Sequence, residues 1–213
     1  MIMKSGEQPY DETQMYTYIK NYAQRYGLLQ TQKALPFARE HHAGQVRKGS
    51  GNVPYIAHPL NMACHALALG LVEDDLLAVI LLHDVSEDCA VPPEELPVGK
   101  AVQNAVRLLT FHVQSGETKA EARARYFAAL AGNREAVLTK LLDRCNNVSF
   151  MVWGFPPQKL RSYIDETRIH VLPLLAEAKR QYPECSNALY LIEYHLCSVL
   201  GSIDVLLAGR KFK

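Results

Sequence analysis

Apolar residues recur with a helical period along almost the whole chain, and no stretch alternates between apolar and polar residues as a half-buried strand does. Turn-forming residues separate the periodic segments, most densely at residues 47–54. The pattern predicts a first helix behind an N-cap at Asp11, followed by helices over residues 31–42, 58–70, 73–87, 100–112, 119–131, 133–147, 157–181 and 185–207. The predicted fold is therefore an all-α bundle.

The length and charge balance limit the class of protein. The chain has 213 residues, 48% of them hydrophobic, which is enough for one sizeable core and predicts a single domain over residues 1–213. Lys and Arg number 23 against 22 Asp and Glu, so the net charge is +1. This balance argues against a broadly basic nucleic-acid-binding surface and against an acidic tail. We expect no nucleic-acid partner, and the oligomeric state stays open.

Signals for export or membrane insertion are not evident in the sequence. The longest apolar run in the middle of the chain covers residues 76–82, whereas a membrane span needs roughly 20 apolar residues. Residues 1–10 include Lys4, Glu7 and Pro9 and show no apolar signal segment. The cysteines are widely spaced and form no CxxC pair, which is typical of reduced thiols. We expect a cytoplasmic protein without membrane contact.

His83 and Asp84 lie within the most apolar segment of the chain. Burying an unpaired charge costs several kcal/mol, so Asp84 needs a strong partner. On the predicted helix Glu87 follows His83 by one turn, and Asp88 follows Asp84 in the same way. A metal ion over this seam would bind His83 and Asp84. Glu87 and Asp88 would then lie near a water on that metal.

Two further stretches supply residues of similar chemistry. Lys140, Asp143 and Asn147 recur at i, i+3 and i+7, which places an amine, a carboxylate and an amide on one helix face. His58 stands at a predicted helix start before Pro59, where its ring can point inward. Two histidines and two aspartates form a mixed nitrogen and oxygen ligand set. Such a set suits Mn, Fe, Zn or Ni better than Mg or Ca.

Each pattern alone also has an ordinary structural interpretation. A single His-Asp pair is common, and Glu87 with Asp88 at a helix end fits solvated charges. Asp143 with Arg144 fits a surface ion pair worth about 0–1 kcal/mol. We expect the pair His41 and His42 on the surface of the second predicted helix. We interpret the other histidines as structural or surface residues: His65, His112, His170 and His195. The ordered co-occurrence of three polar stretches in an all-α chain favours the functional interpretation.

Together the three stretches resemble the HD-domain metal-dependent phosphohydrolases, and more narrowly the (p)ppGpp hydrolase domain of the RelA/SpoT family, including its small stand-alone members. Residues 42–48 with 54–59, residues 81–88 and residues 140–147 are similar to the first three sequence blocks of that family, and residues 165–176 are similar to a weaker fourth block. The similarity spans a motif core of about residues 34–176 and leaves residues 177–213 as a helical C-terminal extension. It implies a single-domain HD-type helical bundle.

The resemblance implies a role for each matching residue. The residues expected to bind one metal ion, usually Mn²⁺ in this family, are His58, His83, Asp84 and Asp143. Glu87 and Asp88 would position or activate the attacking water. The residues expected to hold the nucleotide are Arg47, Lys48, Lys140 and Asn147, with Tyr55 packed beneath the loop. The implied reaction removes the 3′-pyrophosphate of ppGpp or pppGpp and gives GDP or GTP plus pyrophosphate.

The chain departs from the family's pattern near the expected nucleotide pocket. Residues 106–111 keep only Thr110 of a Val-Asp-Gly-Val-Thr-Lys-like segment, and His170 stands where an aromatic residue is common. The third block ends with Asn146, Asn147 and Val148 in place of His-Asn-Met. Two alternatives therefore stay open. One is a hydrolase of another nucleotide, such as an adenine alarmone or NADPH, and the other is a nucleotide-binding sensor without turnover.

Overall fold

Eleven α-helices form the regular structure of residues 11–47 and 53–209, which are the residues described by this computed structural model. They are α1 (Glu12–Arg25), α2 (Leu29–His41), α3 (Ala57–Ala68), α4 (Asp74–Leu82), α5 (Val85–Asp88), α6 (Lys100–Leu109), α7 (Lys119–Leu130), α8 (Arg134–Phe150), α9 (Pro157–Glu166), α10 (Leu172–Gln181) and α11 (Ser186–Leu207). Short 3₁₀ turns and one π-helical segment connect some of them, and these ranges contain no strand. The all-α prediction is confirmed.

Helices α4 and α8 lie at the centre of the fold. Every residue of α4 from Leu76 to Leu82 is buried, because the helix is apolar on all sides and packs against α2, α3, α6 and α8. Helix α8 packs in turn against α3, α4, α6 and α11 and buries most of its length. Functional side chains at the end of α4 and in the middle of α8 therefore project from a rigid, solvent-excluded frame.

The helix predicted over residues 73–87 is interrupted, so that prediction is wrong at its C-terminal end. Helix α4 ends at Leu82 and α5 begins at Val85, with a turn at His83 and Asp84 between them. The His83 ring places its Nδ1 2.8 Å from the Ile80 carbonyl oxygen, and a side chain at that carbonyl disturbs the helical hydrogen-bond ladder. The candidate ligands His83 and Asp84 thus lie in the short turn between α4 and α5.

The helix predicted over residues 157–181 is also interrupted. A π-helical segment, Thr167–Val171, separates α9 from α10. Pro173 has no N–H with which to bond the carbonyl of Ile169, and a wider turn accommodates this missing donor. The Thr167 hydroxyl donates to the carbonyl of Tyr163 at 2.7 Å within the same region.

The start of α2 and the position of His42 differ from expectation. Asp74 accepts hydrogen bonds from the backbone N–H groups of Gln30 and Thr31 at 2.9 and 2.8 Å. This carboxylate from a distant part of the chain caps the helix at Leu29, two residues before the predicted start. The surface position predicted for His42 is wrong, since that ring is 1% exposed and lies 4.8 Å from the ring of Tyr55, centroid to centroid.

The C-terminal helix α11 packs against α8 and α10 along its buried side. Within the described ranges, the segment Pro183–Leu207 is long and apolar enough to cross a membrane by length and composition alone, so the expectation of no membrane contact stays a prediction. All five cysteines are free thiols, two of them buried. The division into a motif core and an extension also stays a prediction, although buried residues of both parts contribute to the same hydrophobic core.

Candidate active site

The turn after α4 directs His83 and Asp84 into a common site. The ring of His83 is 4% exposed, and its Nδ1 lies at hydrogen-bond distance from the Ile80 carbonyl. A carbonyl can only accept, so Nδ1 carries the hydrogen in this contact. The other ring nitrogen, Nε2, lies 2.9 Å from Asp84 Oδ2.

Helix α3 supplies His58 from its first turn, as the sequence predicted. Its ring is 3% exposed, and its Nε2 lies 3.3 Å from Asp143 Oδ1 and 3.7 Å from Asp84 Oδ2. One possible ligand atom from each of His58, His83 and Asp84 lies within 4.8 Å of the others. Asp143 borders this group through His58, so the four predicted metal-site residues meet in one place.

Asp143 is held on α8 by the two neighbours that the sequence placed on its face. The Lys140 ammonium lies 2.9 Å from Asp143 Oδ2, and the Asn147 amide donates to Oδ1 at 2.5 Å. Lys140 also lies over the ring of Tyr126, 5.6 Å from its centroid. The three residues spaced at i, i+3 and i+7 on this helix therefore form one hydrogen-bonded cluster.

The electrostatics of the cluster favour bound positive charge. Burial alone would raise the pKa of Asp143, but Lys140 and His58 outweigh it and hold that pKa well below its usual range. His83 and His58 lower the pKa of Asp84 in the same way against its burial. Burial would lower the pKa of His83, yet Asp84 and Asp143 raise it to about 9. The site stabilises either a proton or a cation between these groups.

The ligand atoms fit a divalent transition metal. The buried Nε2 of His83 lies near Asp84 but makes no hydrogen bond within the described part of the chain. Either a proton or a metal cation between this nitrogen and the carboxylate would offset the cost of burying the two groups together. Imidazole and carboxylate ligands together suit Mn, Fe or Zn chemistry.

Tyr55 and the backbone around it are part of the site, beyond the packing role expected for this residue. The Tyr55 hydroxyl donates to Asp84 Oδ2 at 2.5 Å. An isolated antiparallel bridge pairs Val46 with Pro54. Next to it, the Tyr55 N–H donates to the Gln45 carbonyl at 2.9 Å. The two segments joined by this bridge each supply one residue to the cavity wall, Arg47 after Val46 and Tyr55 after Pro54.

Arg47 lies across the cavity wall from the cluster. Its guanidinium donates to Asn146 Oδ1 at 2.6 Å and to Asn147 Oδ1 at 2.7 Å, and it lies 5.3 Å from the centroid of the Phe150 ring. Burial lowers its pKa. Lys48, the second cation predicted on this loop, lies outside the described residues.

Glu87 and Asp88 lie on α5 and line the same cavity as Asp84. The Glu87 carboxylate accepts the backbone N–H of Phe111 at 3.1 Å, which anchors it to the segment after α6. Burial raises the pKa of Glu87, and the hydrogen bond from Phe111 acts in the opposite direction. A carboxylate whose pKa is raised is a stronger proton acceptor than an ordinary one.

These residues line a cavity of about 690 Å³, within the range of small-molecule sites. Sequence reasoning missed several of its walls, which come from α7, α8 and α9: Arg123, Tyr126, Phe127, Arg144, Phe150, Lys159, Tyr163 and Glu166. A helical period in the sequence could have identified part of this set. Lys159, Tyr163 and Glu166 recur at i, i+4 and i+7 on α9 and face the site together.

No protein-family model matches the chain. The chain is 34% identical over 149 residues to a guanosine-3′,5′-bis(diphosphate) 3′-pyrophosphohydrolase of Aquifex aeolicus, a match that covers 67% of this chain and 20% of the relative. It is 31% identical over 157 residues to the bifunctional (p)ppGpp synthase/hydrolase SpoT of Escherichia coli, covering 70% of this chain and 22% of that protein. The chain thus spans about a fifth of the length of these curated relatives.

The fold is also similar to a solved structure. That protein is a metazoan ortholog of SpoT described as hydrolysing ppGpp, and the superposition has a TM-score of 0.53 at 24% sequence identity. It covers 71% of this chain and 94% of the other. At this identity the likeness establishes the shared helical fold.

Proposed function

The chain belongs to the RelA/SpoT family as an HD-type hydrolase domain, and from this premise we propose that it removes the 3′-pyrophosphate of guanosine tetraphosphate or pentaphosphate. Water adds to the phosphorus next to the ribose 3′-oxygen, and the bond between them breaks. The products are GDP or GTP with a free 3′-hydroxyl, plus pyrophosphate. The observation that carries the proposal is the convergence of two imidazoles and two carboxylates at the wall of a nucleotide-sized cavity.

The ligand cluster is the proposed metal site. His58 and His83 would bind through Nε2, and Asp84 and Asp143 through carboxylate oxygens. When bound, a divalent transition metal such as Mn²⁺ polarises a phosphoryl oxygen and lowers the pKa of a coordinated water. The mixed nitrogen and oxygen donor set supports a transition metal, and Mn²⁺ is the ion we propose.

Glu87 and Asp88 are the proposed groups that orient and deprotonate the attacking water. The Phe111 N–H fixes the Glu87 carboxylate at the cavity wall, so its second oxygen remains available to the water. Burial favours proton acceptance by Glu87 because it raises the pKa of that group. The two carboxylates share α5 with no long flexible connection to the ligand turn.

The proposed phosphate and nucleotide contacts come from Arg47, Lys48, Lys140 and Asn147. Arg47 is held at the cavity wall by two amide oxygens, and its positive charge would attract the anionic oxygens of a phosphate. The Lys140 ammonium forms an ion pair with Asp143, and Lys140 also lines the cavity. A polyanionic nucleotide matches this arrangement, and we propose that the protein acts on it in the cytoplasm.

The assay that tests the proposal combines purified protein, Mn²⁺ and ppGpp, and it measures GDP and pyrophosphate by anion-exchange chromatography. We expect equal amounts of the two products. His83→Ala is expected to abolish turnover. The matched control His112→Ala, which changes an exposed histidine outside the cluster, is expected to retain it.

A nucleotide panel in the same assay separates the alternatives. Cleavage of an adenine alarmone or NADPH with ppGpp left intact would overturn the substrate and retain the metal chemistry. Binding of ppGpp without cleavage, in protein loaded with Mn²⁺, would replace the enzyme by a nucleotide sensor.

A further inference from the structure

The side-chain amide of Asn146 joins three residues of the site wall. The amide is buried, with the residue 4% exposed. Its Oδ1 accepts from the Arg47 guanidinium at 2.6 Å and lies 2.7 Å from His58 Nδ1. Its Nδ2 donates to Asn61 Oδ1 at 2.7 Å. Asn146 therefore contacts a proposed metal ligand on one side and a proposed substrate-binding cation on the other.

The donors around the amide fix its orientation. A guanidinium has N–H groups only and cannot accept, so the Asn146 atom that faces Arg47 must be the oxygen. The same oxygen faces His58 Nδ1, and two acceptors cannot bond each other. Nδ1 of His58 must therefore carry a hydrogen, which leaves the lone pair of the neutral ring on Nε2.

That lone pair points toward the carboxylates of the cluster. Nε2 is the atom of His58 that lies 3.3 Å from Asp143 Oδ1. A metal-binding imidazole must present a bare nitrogen, and the hydrogen bond at its other nitrogen selects which one that is. The opposite tautomer would place a hydrogen where a cation has to bind.

Asn61 supports this arrangement from behind. It lies on α3, one turn after His58, and borders a second cavity of about 370 Å³ between α3, α8 and α11. By accepting from Nδ2, its amide opposes a flip of Asn146. Asn61, Asn146 and Arg47 thus permit only one arrangement of hydrogen bonds at His58.

We propose that Asn146 is a positioning residue that fixes the Nδ1–H tautomer of His58 for a divalent cation and holds Arg47 beside it. The role of Asn146 in turnover rests on the proposed function. The tautomer of His58 and the position of Arg47 can be tested in metal-free protein. Asn146 is also one of the positions at which the third sequence block departs from the family's pattern.

The direct test is nitrogen-15 NMR of the histidine rings in metal-free protein, at a pH where His58 is neutral. We expect an Nδ1–H tautomer for His58 in the unaltered protein and in Asn146→Asp, which keeps the accepting oxygen. We expect a mixture of tautomers in Asn146→Ala. Calorimetry with Mn²⁺ alone should show affinity about 10–100-fold lower for Asn146→Ala, as for loss of other partners of metal-bound histidines.

Asn187→Asp changes an exposed asparagine on α11 and serves as the matched control, with no expected change in either readout. An Nε2–H tautomer of His58 in the unaltered protein overturns the proposal even if no variant folds. Mn²⁺ affinity within twofold of the original in a folded Asn146→Ala protein also overturns it. Neither measurement contains a nucleotide, so failure of the substrate assignment is separable from failure here.

Discussion

The Tyr55 hydroxyl donates to Asp84 Oδ2, the same carboxylate oxygen that lies 2.9 Å from His83 Nε2. Burial, reinforced by the Asp84 charge, raises the pKa of Tyr55 far above its usual range. The phenol therefore stays protonated and remains a donor throughout the neutral range. One carboxylate oxygen is thus fixed by a phenol on one side and presented to an imidazole on the other.

Tyr55→Phe removes this donor and leaves the ring in place. We expect a loss of about 1–3 kcal/mol in the free energy of unfolding, because the half-buried, charged acceptor loses a hydrogen bond. Urea denaturation measures the change. Tyr190→Phe is the matched control, since Tyr190 is exposed and should change stability by less than about 0.5 kcal/mol. Equal effects of the two substitutions would show that the phenol contributes nothing specific.

The sequence predicted the helical class and the convergence of the polar stretches, because both depend on periodicity and local order. Helical spacing placed Lys140, Asp143 and Asn147 on one face, and in the structure Lys140 and Asn147 both donate hydrogen bonds to Asp143. The functional roles assigned to these residues stay predictions. Their spatial convergence follows from the packing of α3, α4 and α8.

What the sequence could not supply depends on contacts between distant segments. The Asp74 cap on α2 and the Asn146 contacts to His58 and Arg47 join residues that are 43 to 99 positions apart. The break at His83 arises because a side chain competes for a backbone carbonyl, which no propensity scale includes. Local patterns predict which residues are polar and helical, whereas tertiary contacts decide which of them meet.

Mn²⁺ is expected to raise the melting temperature of the metal-free protein. At a free concentration of about 100 times Kd, binding to the folded state alone adds about 2.7 kcal/mol, or roughly 5–10 °C for a chain of this size. His83→Ala should remove the shift, and His112→Ala should keep it. Differential scanning fluorimetry with and without EDTA measures both. A shift of equal size in His83→Ala would place the bound metal elsewhere.

The buried ion pair between Arg144 and Glu166 predicts a large effect on stability. Arg144 is 2% exposed, its Nη2 donates to Glu166 at 2.6 Å, and its guanidinium lies 4.0 Å from the centroid of the Tyr163 ring. Glu166→Gln leaves the buried guanidinium without a countercharge there. We expect a loss of about 2–3 kcal/mol, somewhat below the range for fully buried pairs because Glu166 is partly exposed.

Glu177→Gln is the control for this pair. It removes the partner of Arg180, in an exposed ion pair at i and i+3 on α10. Exposed pairs contribute about 0–1 kcal/mol, so its effect should be small. Chemical denaturation of both variants gives the comparison, and a change below 1 kcal/mol for Glu166→Gln would contradict the expected role of burial.

The segment before α7 predicts an acid-sensitive contact far from the metal cluster. Hydrogen bonds from Arg125, aided by the Gln114 N–H, lower the pKa of Glu117 to about 2. Since the folded pKa lies below the ordinary value, this group stabilises the folded state above about pH 4.5. The contribution is lost as the pH falls toward 2. NMR titration of the Glu117 carboxyl carbon should show a midpoint near 2 that rises in Arg125→Ala and stays unchanged in Arg180→Ala.

Glu87→Gln separates catalysis from metal binding. Glutamine keeps a side-chain oxygen to accept the Phe111 N–H, so the local structure is preserved, but it cannot take a proton from water. Loss of a general base lowers turnover by about 10²–10⁴-fold, and we expect kcat to fall in that range while Mn²⁺ affinity changes by less than about threefold. Glu95→Gln, an exposed site beyond α5, should retain full activity. An unchanged kcat in Glu87→Gln would transfer the proposed base to Asp88, whereas a parallel loss of Mn²⁺ affinity would make Glu87 part of the metal site.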